Sequence, residues 1–328
     1  MVKYALITTG GTIAMKKNAT GKAVPALEGT DLLGVLPPSH QGEWKVIHFS
    51  NQASSNMTPD RMLQLSQILK EVLGQGQFEG VVVTHGTDTL EETAFFLSLT
   101  LPTAIPVVLT AAQRDASETD SDGPRNLRNA MRIVKSPGVR GRGVLVSLHS
   151  QIHAAREVRK LHTSQPDAFS SGAAGIVGYV DGDEVFWLRR SLPTIRIPLP
   201  ERLANVPIVK AYTAMNPAFV ECLLGQGAEA LVIEAFGRGN LPPDLVSTIA
   251  KAVSAQGIPI VITSRCPFGR TDPLYGYPGG GADLERAGAW FSGDLSSEKT
   301  RLFLALTLGL DTPKPTLKTW LEHGGLEA

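Results

Sequence analysis

Cysteine is almost missing from this chain of 328 residues, which holds only Cys222 and Cys266. Two thiols cannot build a disulfide framework, and their spacing matches no metal-ligand pattern, so a reducing, cytoplasmic setting is expected. An excess of either charge is missing as well: 31 basic and 31 acidic side chains cancel to a formal net charge of +0. With no global positive field to hold a phosphate backbone, a nucleic-acid partner is not expected. Long apolar runs are absent too. The stretch from Ala104 to Ala112 is interrupted by Pro106 and falls well short of the ~20 residues that a bilayer span needs, which speaks against a membrane partner. The opening MVKYALITTGG has one lysine and a short apolar run that meets two glycines. Lacking a longer apolar core and a cleavage box, it reads as a first strand and not as a signal peptide. Internal repeats and low-complexity tracts are not found. His85, His149, His153 and His162 are scattered, none in a spacing such as HExxH, so no metal is expected.

What remains is ordinary globular material, 42% hydrophobic and 19% charged, enough for a core in each half of a chain about twice the ~150-residue prior for one domain. Short β-branched runs alternate with helical patterns, the signature of crossover units and a parallel sheet. Strands are expected near Lys3–Thr8, Lys45–Phe49, Gly80–Thr84, Ile105–Thr110 and Gly143–Leu148. The helix between the second and third should run over Pro59–Leu73, with Thr58 as its cap and Pro59 in its first turn. Asp88–Leu99 and Pro124–Val134 read as further helices, and Val185–Leu188 as an apolar run before a change of composition. Four prolines between Ser191 and Pro207 remove backbone donors and mark a linker. Beyond it, strands Ile208–Tyr212, Ala230–Ala235 and Ile258–Thr263 alternate with helices Ala218–Leu224 and Pro243–Ala255, closing with Ser297–Leu308. The expectation is two α/β domains: a larger N-terminal one over 1–190, with a parallel-rich sheet flanked by helices, a linker over 191–207, and a smaller parallel α/β domain over 208–328.

Two segments could carry chemistry. In TTGGTIA, Gly10 and Gly11 follow a strand and precede Thr12; glycines there permit positive φ and a close backbone approach to an oxyanion or carboxylate. Alone, such a turn is more often plain turn geometry or a nucleotide loop. In VVVTHGTDTLEETAFFL, Thr87 and Asp88 fall at the carboxyl end of a buried strand, where open parallel sheets place their ligands. Read alone, they are better taken as caps of the following helix, while Glu91 and Glu92 complement its dipole.

Taken together, GGTIA and THGTDTLEETAFFL resemble the bacterial-type L-asparaginase family. Further matches follow in order: SSNM at Ser54–Met57, DGPRNLRNA at Asp122–Ala130, AREVRKLHT at Ala155–Thr163, AFSS at Ala168–Ser171 and GRGNLP at Gly237–Pro242. The resemblance implies a cofactor-free amidohydrolase that releases ammonia from L-asparagine. By position, Thr12 matches the threonine regarded as nucleophile, and Thr87, Asp88 and Lys160 match a second catalytic group. Gly11, Ser54, Ser55 and Gly86 fall at substrate-binding positions, with Asp88 available to the substrate ammonium. Asn240 matches a residue that reaches the active site across a subunit interface, in a homodimer or homotetramer. Serine at position 55 is similar to the cytoplasmic type and favours asparagine over glutamine.

The chemistry has its own logic. Hydrolysing a side-chain amide requires a nucleophilic hydroxyl, donors for the oxyanion and a proton for departing ammonia. One departure stands out: many members carry a tyrosine in the loop after the nucleophile, whereas Ile13 to Leu36 contains Lys16, Lys17 and Lys22 but no aromatic residue. Tyr275 or Tyr277 could fill the role, a loop lysine or Lys160 alone could do so, or the substrate could be another amide. An amino-acid sensor without catalysis is the alternative from another class.

Overall fold

The computed structural model describes residues 3–102 and 104–326; Met1, Val2, Thr103, Glu327 and Ala328 lie outside the described residues. The chain divides into two compact units, one running to Pro193 and one starting at Thr194.

The N-terminal unit begins with β1 (Tyr4–Gly10), a hairpin of β2 (Met15–Lys17) and β3 (Ala23–Pro25), and two one-turn helices, α1 (Gly29–Leu32) and α2 (Pro38–Gln41). It continues through β4 (Trp44–Gln52), α3 (Pro59–Gly74), β5 (Gly80–Thr84), α4 (Leu90–Thr100), β6 (Val107–Thr110), α5 (Gly123–Lys135) and β7 (Val144–Leu148). β8 (Gln151–Ala154), β9 (Arg159–Lys160), β10 (Phe169–Ser170), β11 (Gly178–Asp181) and β12 (Glu184–Trp187) complete it. Eight strands form one sheet in the order β12-β11-β8-β7-β6-β5-β1-β4. From β4 to β7 neighbouring strands are parallel, and from β7 to β12 they are antiparallel.

The central strands read as unbroken apolar runs because both faces are covered. Ala5, Ile7, Val81, Val83, Val107 and Leu109 face a core shared with Leu65 and Leu69 of α3 and Leu90, Ala94 and Leu97 of α4. The alternate residues Leu6, Val82, Val108 and Leu145 face a second core with Leu127, Ala130, Met131 and Ile133 of α5. Helix α3 starts where Thr58 and Pro59 predict, the Thr58 hydroxyl accepting from Arg61 N at 3.3 Å. All five parallel strands end on the side of the sheet from which the loops after β1, β5 and β6 emerge, so the topology gathers those loops.

The C-terminal unit contains β13 (Ile208–Lys210), α6 (Ala218–Gly225), β14 (Leu231–Ala235), α7 (Leu245–Gln256), β15 (Ile260–Ser264), α8 (Gly281–Arg286), β16 (Trp290–Phe291), α9 (Ser297–Leu308) and α10 (Lys314–Glu322). Its four strands are parallel in the order β13-β14-β15-β16. Leu231, Ile233, Ile260 and Ile262 pack with Val220, Leu245 and Ile249.

Several details depart from the sequence reading. The chain does not close at Leu308: Pro315 sits in the first turn of α10, where a missing N–H costs nothing. The region 194–207 is bound to its own unit, with Ile195 N donating to Gly325 O at 3.0 Å and Ala204 N to Ala305 O at 3.0 Å. The lysine-rich segment after Thr12 is a hairpin, closed by Asn18, whose Oδ1 accepts from Thr20 N and Lys22 N at 3.0 Å. Cys222 is exposed, as is Cys266; on α6 only Val220 turns fully inward. Among the described residues, no helix is long and apolar enough to cross a membrane.

Candidate active site

Three loop segments meet in backbone contact. Gly10 and Gly11 leave β1 with φ of 105° and 86°, and a Cβ on Gly11 would lie 2.5 Å from Gly86 Cα and N. A Cβ on Gly86 would in turn lie 2.6 Å from Ser54 Oγ. Glycine is therefore required at both positions for the ends of β1, β4 and β5 to converge. Gly11 N donates to Gln52 O at 3.0 Å, which ties the first loop to β4.

His85 stiffens the middle loop from below. It is fully buried, its Nδ1 lies 2.8 Å from Gly86 O, and its Nε2 lies 3.0 Å from Thr93 Oγ1 on α4. A carbonyl only accepts, so Nδ1 carries the proton and Nε2 receives the Thr93 hydroxyl. Burial pushes the imidazole down to about 4, the Gly86 bond opposing that shift.

Above this floor opens a cavity of about 260 Å³, lined by Gly11, Thr12, Met15, Ala53, Ser54, Gly86, Thr87, Asp88, Gln113, Lys160 and Thr163. That is below the ~300 Å³ at which pockets for drug-sized ligands begin, so a small metabolite suits it. Lys160 Nζ donates to Thr87 Oγ1 at 2.8 Å and to Asp88 Oδ1 at 2.7 Å. The lysine side chain is 16% exposed and the aspartate 69%, so the cation is sheltered while the carboxylate keeps a face for an incoming ammonium. Ser54, buried beneath, accepts Asp88 N on its Oγ at 3.2 Å, leaving its own hydroxyl hydrogen for a ligand carboxylate. Thr12 lies half-buried on the cavity wall, in a single 3-10 turn after Gly11. Its hydroxyl has no hydrogen-bond partner among the described residues.

Lys160 reaches the site from β9, and Glu91 holds that strand in place by accepting the Lys160 backbone N–H on its carboxylate. Glu91 is thus more than the dipole complement its place in the first turn of α4 implies. Four lining residues are not among the expected site residues: Gln113, whose Oε1 accepts from Thr87 Oγ1 at 3.3 Å, Met15, at the start of the hairpin, Ala53 and Thr163. The one signal for Gln113 is its place just beyond the carboxyl end of β6.

The structure thus brings Gly11, Thr12, Ser54, Gly86, Thr87, Asp88 and Lys160 onto one cavity. Ser55 is exposed and is not among the lining residues. Asn240 belongs to the C-terminal unit, where its Oδ1 accepts from Gly281 N at 3.2 Å. Tyr275 and Tyr277, also in that unit, are exposed, their ring centroids 5.6 Å apart and their planes tilted by 33°. Among the described residues no group of three His, Cys, Asp or Glu side chains could hold a metal ion.

Known proteins share the fold of this chain and part of its sequence. Residues 3–193 match the model for "Asparaginase, N-terminal" and residues 205–321 that for "Glutaminase/Asparaginase C-terminal domain". The chain belongs to the asparaginase family. It is 40% identical over 333 residues to a probable L-asparaginase of Deinococcus radiodurans, covering 98% of each chain. To an L-asparaginase of Bacillus licheniformis it is 36% identical over 311 residues, 93% of this chain and 95% of that one. The crystal structure of a probable cytoplasmic L-asparaginase from Campylobacter jejuni superposes with a TM-score of 0.88 at 28% identity, over 98% of this chain and 99% of the other.

Proposed function

We propose that this protein hydrolyses the side-chain amide of L-asparagine to L-aspartate and ammonia, without a cofactor. The observation that carries the reading is the double hydrogen bond of Lys160 Nζ to Thr87 and Asp88, on the same small cavity as Thr12. The substrate ammonium pairs with Asp88, and its carboxylate takes the Ser54 hydroxyl and the amides around Gly11 and Gly86. Thr12 Oγ1 attacks the amide carbon, its proton passing to the Thr87–Lys160 pair. That pair returns a proton to the leaving nitrogen, so that ammonia departs and an ester on Thr12 remains for water to cleave. Asn240 of a neighbouring subunit completes the site in a homodimer or homotetramer, and the enzyme works in the cytoplasm.

A second reading rests on one observation: the hydroxyl in contact with the lysine is that of Thr87 and not that of Thr12. On that reading Thr87 attacks and Thr12 assists. Ammonia release is measured on L-asparagine, D-asparagine, L-glutamine and an N-blocked asparagine, with Thr12→Val and Thr87→Val alongside. L-asparagine is expected to lead and both variants to lose turnover. Mass spectrometry of enzyme quenched during turnover then assigns the acyl group to one threonine. Activity confined to another amide would make the altered hairpin a change of specificity, and silence on all four would favour an amino-acid sensor.

A further inference from the structure

Gln113 is held with more care than a wall residue needs. Both Asp122 carboxylate oxygens accept its backbone N–H, at 3.1 and 3.2 Å, and Arg114 N adds a third bond to the same carboxylate at 2.9 Å. The buried Asn126 closes the clamp, its Nδ2 donating to Asp122 Oδ2 at 3.0 Å and to Ala111 O at 2.9 Å. The turn between β6 and α5 is therefore fixed on both flanks. Yet the side chain it presents is not fully satisfied: Gln113 Nε2 is buried and has no hydrogen-bond partner among the described residues. A buried N–H₂ without partners is a standing cost that an apolar side chain of the same volume would remove.

The compensation lies at the other end of the amide. A hydroxyl has one hydrogen and two lone pairs. Because Lys160 Nζ occupies a lone pair of Thr87 Oγ1, the single hydrogen points to Gln113 Oε1. We propose that Gln113 is a positioning residue: its carbonyl oxygen sets the direction of the Thr87 hydroxyl, keeping a lone pair on Lys160 and the hydrogen off it until substrate is bound. At 3.3 Å the bond is longer than the usual O–H···O range, so the hydrogen is guided but not locked. Gln113 then acts on the chemical step through Thr87, with no part in holding the substrate head group.

The inference rests on the hydrolase reading above and is tested with Gln113→Met and Gln113→Glu. Each is assayed on whichever amide of the panel the wild type turns over fastest. Methionine keeps the volume and loses the acceptor, whereas glutamate keeps an acceptor oxygen at the same reach. The expected result for Gln113→Met is a drop in kcat of roughly tenfold or more with KM within about twofold, as for a misaligned reacting group. Its melting temperature should be unchanged or a few degrees higher, since the unpartnered amide is gone. Gln113→Glu should recover kcat to within about threefold of wild type. Wild-type kcat in the methionine variant overturns the inference, as does equal impairment of both variants. A fall in kcat that merely follows a fall in melting temperature overturns it too. A wild type inactive on every amide removes the hydrolase reading and this inference together, whereas an active wild type with an unaffected methionine variant removes this inference alone.

Discussion

Acid should loosen this protein through His85, by an amount that follows from its surroundings. The folded imidazole is pushed down to about 4 by burial, while the unfolded chain binds its proton near the ordinary value of about 6.5. Between those values the unfolded state binds more protons, so stability is complete above pH ~6.5 and is lost as pH falls toward ~4. At about pH 5 the loss from one such histidine is about 2 kcal/mol. His153, hydrogen-bonded to Ser171 at 2.9 Å, is held down to about 4 by burial and then by the charge of Arg189, and adds a similar term. The assay is urea unfolding at about pH 7.5 and about pH 5, at one protein concentration, for wild type and His85→Asn. The asparagine amide can still donate to Gly86 O but cannot take up a proton. Its stability loss between the two pH values should be smaller than that of wild type by about 2 kcal/mol. Equal losses in the two proteins would refute the argument.

Two further predictions concern the supports of the site. Glu91→Leu removes an acceptor of the Lys160 backbone N–H and should lower kcat roughly 10- to 100-fold while costing about 1–2 kcal/mol in unfolding experiments; an unchanged kcat would show that β9 needs no such tie. Asp122→Ala unpairs Gln113 N and Arg114 N and should destabilise by about 2 kcal/mol, with an accompanying loss of kcat, both read from one preparation by denaturation and ammonia release.

How far the sequence could be read depended on where each signal resides. The parallel strands announced themselves because Val81 to Val83 and Val107 to Leu109 are buried on both faces, which demands unbroken apolar runs. Strands Gln151–Ala154 and Gly178–Asp181 passed unnoticed: at four residues each and with mixed polarity, they owe their extended form to pairing and not to local preference. The hairpin after Thr12 was hidden by its lysines, since exposed side chains carry no apolar alternation. In the site, Thr12, Thr87, Asp88 and Lys160 could be picked out from motif resemblance, but the contacts that orient them could not. Glu91 looked like a helix-dipole partner because its other end lies 69 residues away. Gln113 had no motif at all, its meaning being set by a bond across 26 residues.

The crowding at Gly86 has a consequence for how this chain can vary. Its Cα stands against Gly11 on one side and the Ser54 hydroxyl on the other, so a methyl group added at any one of these places pushes on the neighbours that would together hold the substrate carboxylate. Substitutions there should combine non-additively, a second change at Gly11 or Ser54 costing little once the first at Gly86 has already forced the loops apart. Drift at the three positions is therefore coupled: a lineage altering one of them would be released to alter the others, and they should be inherited as a block.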